Sequence, residues 1–499
     1  MISRQQKRKA SYTGFIIVAT IVGFGRWFLE VNIGVAKVNG LLPFAYAFYY
    51  VAVGFSFYSI LRFVSGMSDR SSLNSARLGL LVGLLPPIID LGHASVTNTP
   101  LLNYSYYLYE DFRFFSAFFY EPQHGFPFGE SFAVWLVIFM TLVLTIRETR
   151  NPVRIAGAVL GGYAVFLFFL VFLPKGIADY FTSGTDGFNV DLKMRMTSRN
   201  LSTQYHVYFH FAIILLLLFL ADSRFRTAVR KRFLHYLPFG SICAAPFIFT
   251  TNFGIAAFCT PVLVMFNFLF ACIQNDLYDS RSRGKNQLKE NSGTSTRQED
   301  VLKFFLILLC LLIAYLYGVG NLLFFPQLIF LLLTLLYNLR ETRMRYYLLG
   351  GQKIEGGWGV CAVWSGLVCL KINPFQISTL LFTIFVFFGW AYISSIKDLK
   401  DLLSDNHSGR RTIFSFLTEK FGTLSRAVRV YKLQVAILVV VPWLFLILRK
   451  PPFNSLLFFV CSILPIWLVL YYARRQNMFK FFSVGISAYF LLFAYLAGY

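Results

Sequence analysis

The chain has 499 residues, of which 57% are hydrophobic and 14% charged, and its mean hydropathy is +0.61. Soluble proteins carry about a quarter charged residues, so this composition excludes soluble, disordered and collagen-like chains and predicts a multi-pass helical membrane protein. The 46 Lys and Arg residues outnumber the 23 Asp and Glu residues, and basic cytoplasmic loops explain this excess without a nucleic-acid partner.

Fifteen apolar segments follow one another along the chain, each roughly long enough to cross about 30 Å of hydrocarbon as a helix. They lie near residues 12–28, 41–64, 76–96, 131–147, 153–174, 207–223, 236–257, 258–275, 302–319, 321–338, 357–371, 376–396, 432–449, 454–472 and 480–498. The predicted fold class is therefore an all-α polytopic membrane protein with about fifteen transmembrane helices.

The loops between the first segments alternate in charge, and this alternation predicts the topology. Arg and Lys residues cluster within 4–9, 62–77, 147–154 and 224–232, whereas the intervening loops are longer and aromatic or mixed. By the positive-inside rule we expect the N-terminus in the cytoplasm and, after fifteen spans, the C-terminus outside.

A boundary between two domains is predicted at the basic stretch after Asp222, which gives residues 1–229 and 230–499. The six spans of the first domain match no pattern that we can name, and partner binding, lipid handling and a second enzymatic activity are all compatible with them. Arg26 and Glu30 lie one helical turn apart near the outer end of the first span. They can pair, and anchoring at the membrane interface is the preferred interpretation.

Two acidic motifs carry the chemistry of the second domain. Residues 275–279 (NDLYD) close the eighth segment, and residues 397–405 (KDLKDLLSD) close the twelfth. Their spacing puts the acids of each motif on one helix face, and the topology places both motifs on the cytoplasmic side. Two such carboxylate clusters suit Mg²⁺ bridged to substrate phosphates. The alternative, solvated helix ends in ordinary loops, is disfavoured by the presence of two motifs with their particular flanks.

These motifs resemble those of the UbiA-type superfamily of intramembrane prenyltransferases, over the residues from about 230 to the end. That family has nine helices, with an N-D-x-x-D-x-x-x-D motif after the second and a D-x-x-D-x-x-x-D motif after the sixth. The matching residues are Asn275, Asp276 and Asp279 in the first motif, Asp398, Asp401 and Asp405 in the second, and the following G-R-R-T at 409–412 with a glycine at 422. The resemblance implies that the last nine helices form a bundle around a central cavity.

The resemblance also implies an activity, which is the Mg²⁺-dependent transfer of a prenyl or polyprenyl group from an allylic diphosphate to an acceptor, with release of pyrophosphate. The implied catalytic residues are Asp276, Asp279, Asp398 and Asp401, which together with Asp405 would hold the metal. The implied diphosphate contacts are Asn275, Lys289, Arg340, Arg343, Lys397 and Arg410, with Tyr337 beside the cationic cluster. The expected partners are a prenyl diphosphate donor, membrane lipids and an acceptor, for which an aromatic quinone precursor is the commonest choice in the family.

The first motif departs from the family pattern, because Arg283 stands where the third acid is expected. This departure and the six additional helices leave a non-catalytic membrane scaffold as an alternative. A transporter is a weaker alternative, since the acids cluster at helix ends instead of at the bilayer midplane. The polar segment 280–300 is compatible both with a lid over the diphosphate and with a solvated linker.

Overall fold

A computed structural model defines the architecture of the chain. The residues that it describes are 11–33, 42–98, 128–173, 201–248, 255–283, 292–318, 321–338, 344, 347, 350–399, 411–447, 467 and 483–491. Every regular element within these ranges is helical and none of them contains a strand, in agreement with the predicted all-α fold class.

Fifteen α-helices precede residue 448 within the described residues, and residues 483–491 are helical as well. In chain order they are α1 (Tyr12–Asn32), α2 (Leu42–Phe63), α3 (Asp69–Val82), α4 (Leu85–Thr97), α5 (Phe128–Glu148), α6 (Pro152–Leu167), α7 (Leu201–Ala221), α8 (Ser223–Ile248), α9 (Ile255–Arg283), α10 (Ser292–Gly318), α11 (Phe324–Asn338), α12 (Gly350–Cys369), α13 (Ile377–Ile393), α14 (Ile413–Phe421) and α15 (Leu424–Ile447). Helix α6 continues as a π-helical turn (Phe168–Phe172), and α13 continues as a 3₁₀-helix (Ser394–Lys397).

The chain is an integral membrane protein that crosses the bilayer more than once. Six stretches of the described residues are long and apolar enough to span a membrane, namely Tyr12–Asn32, Pro43–Phe63, Asp69–Thr97, Phe128–Glu148, Glu299–Gly318 and Thr379–Ile396. The third of these stretches is divided into the two helices α3 and α4. The division lies just before Pro86 and Pro87, which occupy the first turn of α4, where proline is well tolerated. The total of fifteen spans and the orientation of the termini stay predictions.

The helices pack into two compact units. Unit 1 consists of residues 1–226 and 296–319, and unit 2 of residues 227–295 and 320–499. Segment 296–319 packs in unit 1, although the sequence analysis places it within the second domain. The division of the chain into two functional domains stays a prediction.

Helix α10 is held in unit 1 by a cap that it supplies to α1. Asp300 accepts hydrogen bonds from the backbone N–H groups of Tyr12 and Thr13, at 2.6 and 3.0 Å, and from Ser11 Oγ at 2.9 Å. Ser11 Oγ in turn accepts from the backbone N–H of Gly14 at 3.1 Å. The first three N–H groups of α1 therefore find the partners that the helix itself cannot supply, and the carboxylate lies at the positive end of the helix dipole.

The preferred interpretation of Arg26 and Glu30 is wrong. Their side chains are 1% and 0% exposed, and they pair with each other inside unit 1 instead of anchoring α1 at the membrane interface. Burial of both charges is tolerated because each charge compensates the other and further hydrogen bonds complete the group.

Helix α12 is the central helix of unit 2, where it packs against α9, α11 and α13. Most of its side chains are buried. A Cβ atom on Gly356 would lie only 2.7 Å from the carbonyl oxygen of Phe387, so α13 approaches α12 more closely than any larger residue would allow. The helix that leads into the second acidic motif is thus held tightly against α12.

Candidate active site

The end of α13 carries the first acid of the second motif. After Ile393 the chain tightens into the 3₁₀-helix Ser394–Lys397, and Asp398 follows directly. The side chain of Asp398 is only 3% exposed. A carboxylate removed from water in this way requires polar partners, and neighbouring helices supply them.

Helix α12 contributes two buried polar side chains to this turn. Gln352 Nε2 donates a hydrogen bond to Asp398 Oδ2 at 3.3 Å. One helical turn later, Glu355 Oε2 accepts a hydrogen bond of 2.5 Å from Ser394 Oγ. Because Gln352 and Glu355 are spaced i, i+3, they lie on one face of α12 and bring a second acid to the turn that ends in Asp398.

Helix α15 fixes the same turn through a buried tyrosine. The hydroxyl of Tyr431 lies 2.9 Å from the carbonyl oxygen of Tyr392 and 3.2 Å from that of Ile393, and it donates to this pair of acceptors. Both carbonyls belong to the last turn of α13, where the α-helical hydrogen-bond pattern ends. Tyr431 therefore stabilises the backbone at the point from which Asp398 projects.

The first acidic motif lies within α9, which continues to Arg283. Asp276, Asp279 and Arg283 are spaced i, i+3, i+7, so the arginine shares one helix face with the two acids. In this motif the structure describes the side chain of Asn275, which is partly exposed, and the backbone alone of Asp276 and Asp279. A basic residue thus takes the helical position of the family's third acid.

Two buried amide contacts fix the rotation of α9 about its axis. Asn338 Nδ2 on α11 donates to Gln274 Oε1 at 3.1 Å, and two turns earlier Asn267 Nδ2 donates to Gln327 Oε1. Gln327 Nε2 also donates to Ser365 Oγ on α12 at 2.8 Å. Since positions 267 and 274 share a face, α9 is fixed at two levels along that face.

The first acidic motif lies within α9, the second begins at the end of the 3₁₀-helix Ser394–Lys397, and both of these elements contact α12. Helix α9 packs against α12, and the 3₁₀-helix Ser394–Lys397 packs against it as well. This common neighbour is compatible with the predicted convergence of the motifs on one cavity, which itself stays a prediction.

Further along α12, after Gln352 and Glu355, the helix contributes to a cluster of aromatic side chains. Trp358 is buried one turn after Glu355, and its ring centroid lies 5.3 Å from that of Tyr337, 5.5 Å from that of Phe268 and 5.8 Å from that of Phe330. These separations are typical of favourable aromatic pairs. The cluster belongs to the packed hydrophobic core of unit 2.

Several predicted site residues lie outside the described residues, namely Lys289, Arg340, Arg343, Asp401, Asp405 and Arg410. For Lys397, as for Asp276 and Asp279, the description is limited to the backbone. Of the polar segment 280–300, residues 280–283 belong to α9 and residues 292–300 to α10, and the remainder is outside the described ranges.

The chemistry of the described donors fits Mg²⁺, the cofactor that the resemblance implies. Asp398 and Glu355 offer carboxylate oxygens and Asn275 an amide oxygen, and Mg²⁺ prefers hard oxygen ligands. Among the side chains that the structure describes, no three of the acidic, histidine and cysteine residues are arranged so that they could hold a metal ion. Of the five predicted ligands, Asp398 is the one whose side chain is described.

A comparison with protein families supports the resemblance that the two acidic motifs indicate. A model of the UbiA prenyltransferase family matches residues 239–493, which include both acidic motifs and α12. No curated protein and no solved structure gives a significant match. The matched stretch covers just over half of the chain, and residues 1–238 lie outside it. From this match, the chain belongs to the UbiA prenyltransferase family.

Proposed function

We propose that this protein is an Mg²⁺-dependent prenyltransferase that acts at the cytoplasmic face of the membrane. The bond between the allylic carbon and the diphosphate oxygen breaks, and pyrophosphate leaves with the electron pair. The acceptor then bonds to the allylic carbon and loses a proton. Asp398 carries the proposal, because it is a buried acid at the head of a complete D-x-x-D-x-x-x-D motif within the family match.

The acids of the two motifs have the first role in this proposal. The residues that would hold the metal are Asp276, Asp279, Asp398, Asp401 and Asp405. Bound Mg²⁺ neutralises charge on the departing pyrophosphate. Gln352 orients Asp398 through its amide hydrogen bond, so we assign it as a positioning residue, and Glu355 adds negative charge beside the same turn.

The cationic residues would bind the diphosphate. The proposed contacts are Asn275, Lys289, Arg340, Arg343, Lys397 and Arg410, and the arginines among them can bind phosphate oxygens in bidentate geometry. Arg283 shares a face of α9 with Asp276 and Asp279, and it would add a phosphate contact where the family has an acid. The proposed donor is therefore a prenyl diphosphate, whose negative charge would be neutralised both by Mg²⁺ and by basic side chains of the protein.

The aromatic cluster around Trp358 would protect the reacting carbon. Its packed rings exclude water, which would otherwise capture an allylic cation, and their faces attract positive charge. An aromatic quinone precursor is the first acceptor to test, before lipid and sugar-phosphate acceptors.

The test is an assay of the purified full-length protein in detergent with radiolabelled geranyl, farnesyl and geranylgeranyl diphosphates and a panel of acceptors. We expect prenyl transfer that requires Mg²⁺ and that falls about a hundredfold or more in Asp276→Asn and in Asp398→Asn, since each variant removes charge that neutralises the leaving group. Glu419→Gln, at an exposed acid of α14, is the matched control and should keep full activity. Transfer that survives both aspartate substitutions would overturn the mechanism.

A non-catalytic scaffold remains the second candidate, because Arg283 replaces an acid of the first motif. It predicts no turnover with any donor and acceptor. In that case Arg283→Asp, which restores the family pattern, is expected to gain Mg²⁺-dependent ionisation of the donor, whereas the enzyme hypothesis predicts that this variant binds the diphosphate less tightly than the natural protein.

A further inference from the structure

Unit 1 contains a cavity that prenyl transfer does not use. Its volume is about 120 Å³, and residues from each of the helices α1 to α6 line it. Much of its wall is apolar and includes Val53, Phe57, Leu80, Val134 and Phe166. In another protein an apolar cavity of about 150 Å³ binds benzene, so a cavity of this order has room for one small ring.

One end of the cavity is polar and is built around Arg26. Its Nη2 atom donates to Glu130 Oε1 at 2.5 Å, Nη1 donates to the carbonyl oxygen of Gly83 at 2.8 Å, and Nε donates to Glu30. The hydroxyl of Tyr50 also donates to the Gly83 carbonyl, at 3.2 Å. All three guanidinium nitrogens are therefore engaged within the protein, and Arg26 is committed to holding this end together.

The charge balance at this end disfavours an anion. One guanidinium serves two carboxylates, and a third acid, Asp90, accepts a hydrogen bond of 2.6 Å from the backbone N–H of Gly129, next to Glu130 in the chain. Glu30 is 0% exposed, whereas Glu130 is 15% exposed and lines the cavity. Glu130 is thus the carboxylate that a molecule bound in the cavity would contact.

We propose that this cavity binds a neutral phenol with a single ring. The ring lies among the apolar side chains, where Phe57 and Phe166 offer edge and face contacts, and the hydroxyl donates to Glu130. A cation is less suitable because burial of an ammonium group in this largely apolar cavity would add a desolvation penalty. This inference is independent of prenyl transfer, since it concerns residues outside the family match.

The test uses the full-length protein in nanodiscs of neutral lipid, with 4-fluorophenol as the probe followed by fluorine NMR. Val134→Phe places a ring in the cavity, and Val143→Phe makes the same change on α5 at a side chain that is 46% exposed. We expect at least tenfold weaker binding for the first variant and unchanged binding for the second. If gel filtration shows that Val134→Phe is misfolded, Ala133→Leu fills the same cavity.

Three further probes test the chemical class. 4-Fluoroanisole has no hydroxyl donor, 4-fluorobenzoate is an anion and 4-fluorobenzylamine is a cation, and each should bind at least tenfold less tightly than 4-fluorophenol. Equal binding of the phenol to the natural protein and to the filled variants would show partition into lipid only and would overturn the site. Equal or tighter binding of any of the three probes would overturn the assignment of a neutral hydroxyl donor.

Discussion

The two units hold their buried carboxylates by different means. In unit 1 the carboxylates of Glu30 and Glu130 both pair with the guanidinium of Arg26, so a buried cation compensates part of their charge. In unit 2 the carboxylate of Asp398 accepts a hydrogen bond from the neutral amide of Gln352. Neutral donors position a carboxylate without cancelling its charge, whereas an arginine does both.

This difference bears on what each region can do. The proposed reaction requires Asp398 to attract a metal cation, and a hydrogen bond from a neutral amide orients its carboxylate for this role. A carboxylate paired with Arg26 instead offers a fixed hydrogen-bond acceptor at the end of an apolar cavity. The two proposals therefore give the same type of side chain two roles, which are cation binding in unit 2 and recognition of a neutral group in unit 1.

Removal of the cation from unit 1 should have the largest effect. Arg26→Met leaves Glu30 and Glu130 buried without their counter-charge, and loss of one partner of a buried ion pair costs about 3–5 kcal/mol of unfolding free energy. The measurement is thermal unfolding of the purified protein in detergent. Arg147→Met, at an exposed arginine in the last turn of α5, is the control and should leave the unfolding temperature nearly unchanged. Similar shifts for the two variants would mean that the cluster around Arg26 does not stabilise unit 1.

Removal of the neutral donor in unit 2 should weaken the binding of Mg²⁺ and leave the stability of the fold nearly unchanged. Gln352→Met deletes the amide that orients Asp398, and loss of such supporting hydrogen bonds typically costs about 10–100-fold in metal affinity or activity. The measurement is the Mg²⁺ concentration that gives half-maximal prenyl transfer, which should rise. Gln376→Met, at an exposed glutamine that precedes α13, is the matched control. A fall in maximal rate with an unchanged Mg²⁺ dependence would contradict the positioning role.

The sequence predicts α12 only in part, and the part that it misses belongs to the site. The apolar pattern places a span at 357–371, whereas the helix runs from Gly350 to Cys369. Hydropathy excludes the first turns because Gln352 and Glu355 are polar. Their partners, Asp398 and Ser394, lie some 40 residues away in the chain. A local pattern cannot show that a polar residue is compensated from a distant helix, so these residues were not predicted.

The acidic motifs themselves could be predicted because their spacing is local. The spacing of Asp276 and Asp279 already puts them on one helix face, and α9 has this form. The basic stretch before residue 233 was expected to be a loop, but it begins α8 (Ser223–Ile248), because Arg and Lys are good helix formers. The packing of segment 296–319 in unit 1 depends on long-range contacts such as those of Asp300, which no periodicity reveals.

Asp300 is an acid of unit 1 that accepts hydrogen bonds from neutral donors, namely Ser11 Oγ and the backbone N–H groups of Tyr12 and Thr13. Asp300→Ala removes the acceptor for the N–H groups of Tyr12 and Thr13 and should cost about 1 kcal/mol of unfolding free energy, as expected for a helix cap. Glu299→Gln, one residue earlier, breaks a pair of 2.9 Å with the exposed Lys303 and should cost less than about 0.5 kcal/mol. Thermal unfolding of both variants beside Arg26→Met measures all three contributions. If Asp300→Ala costs as much as Arg26→Met, removal of the counter-charge from two buried carboxylates is no more costly than removal of a helix cap. The smaller cost that we expect instead follows from the burial of two uncompensated charges in one variant and the loss of a cap in the other.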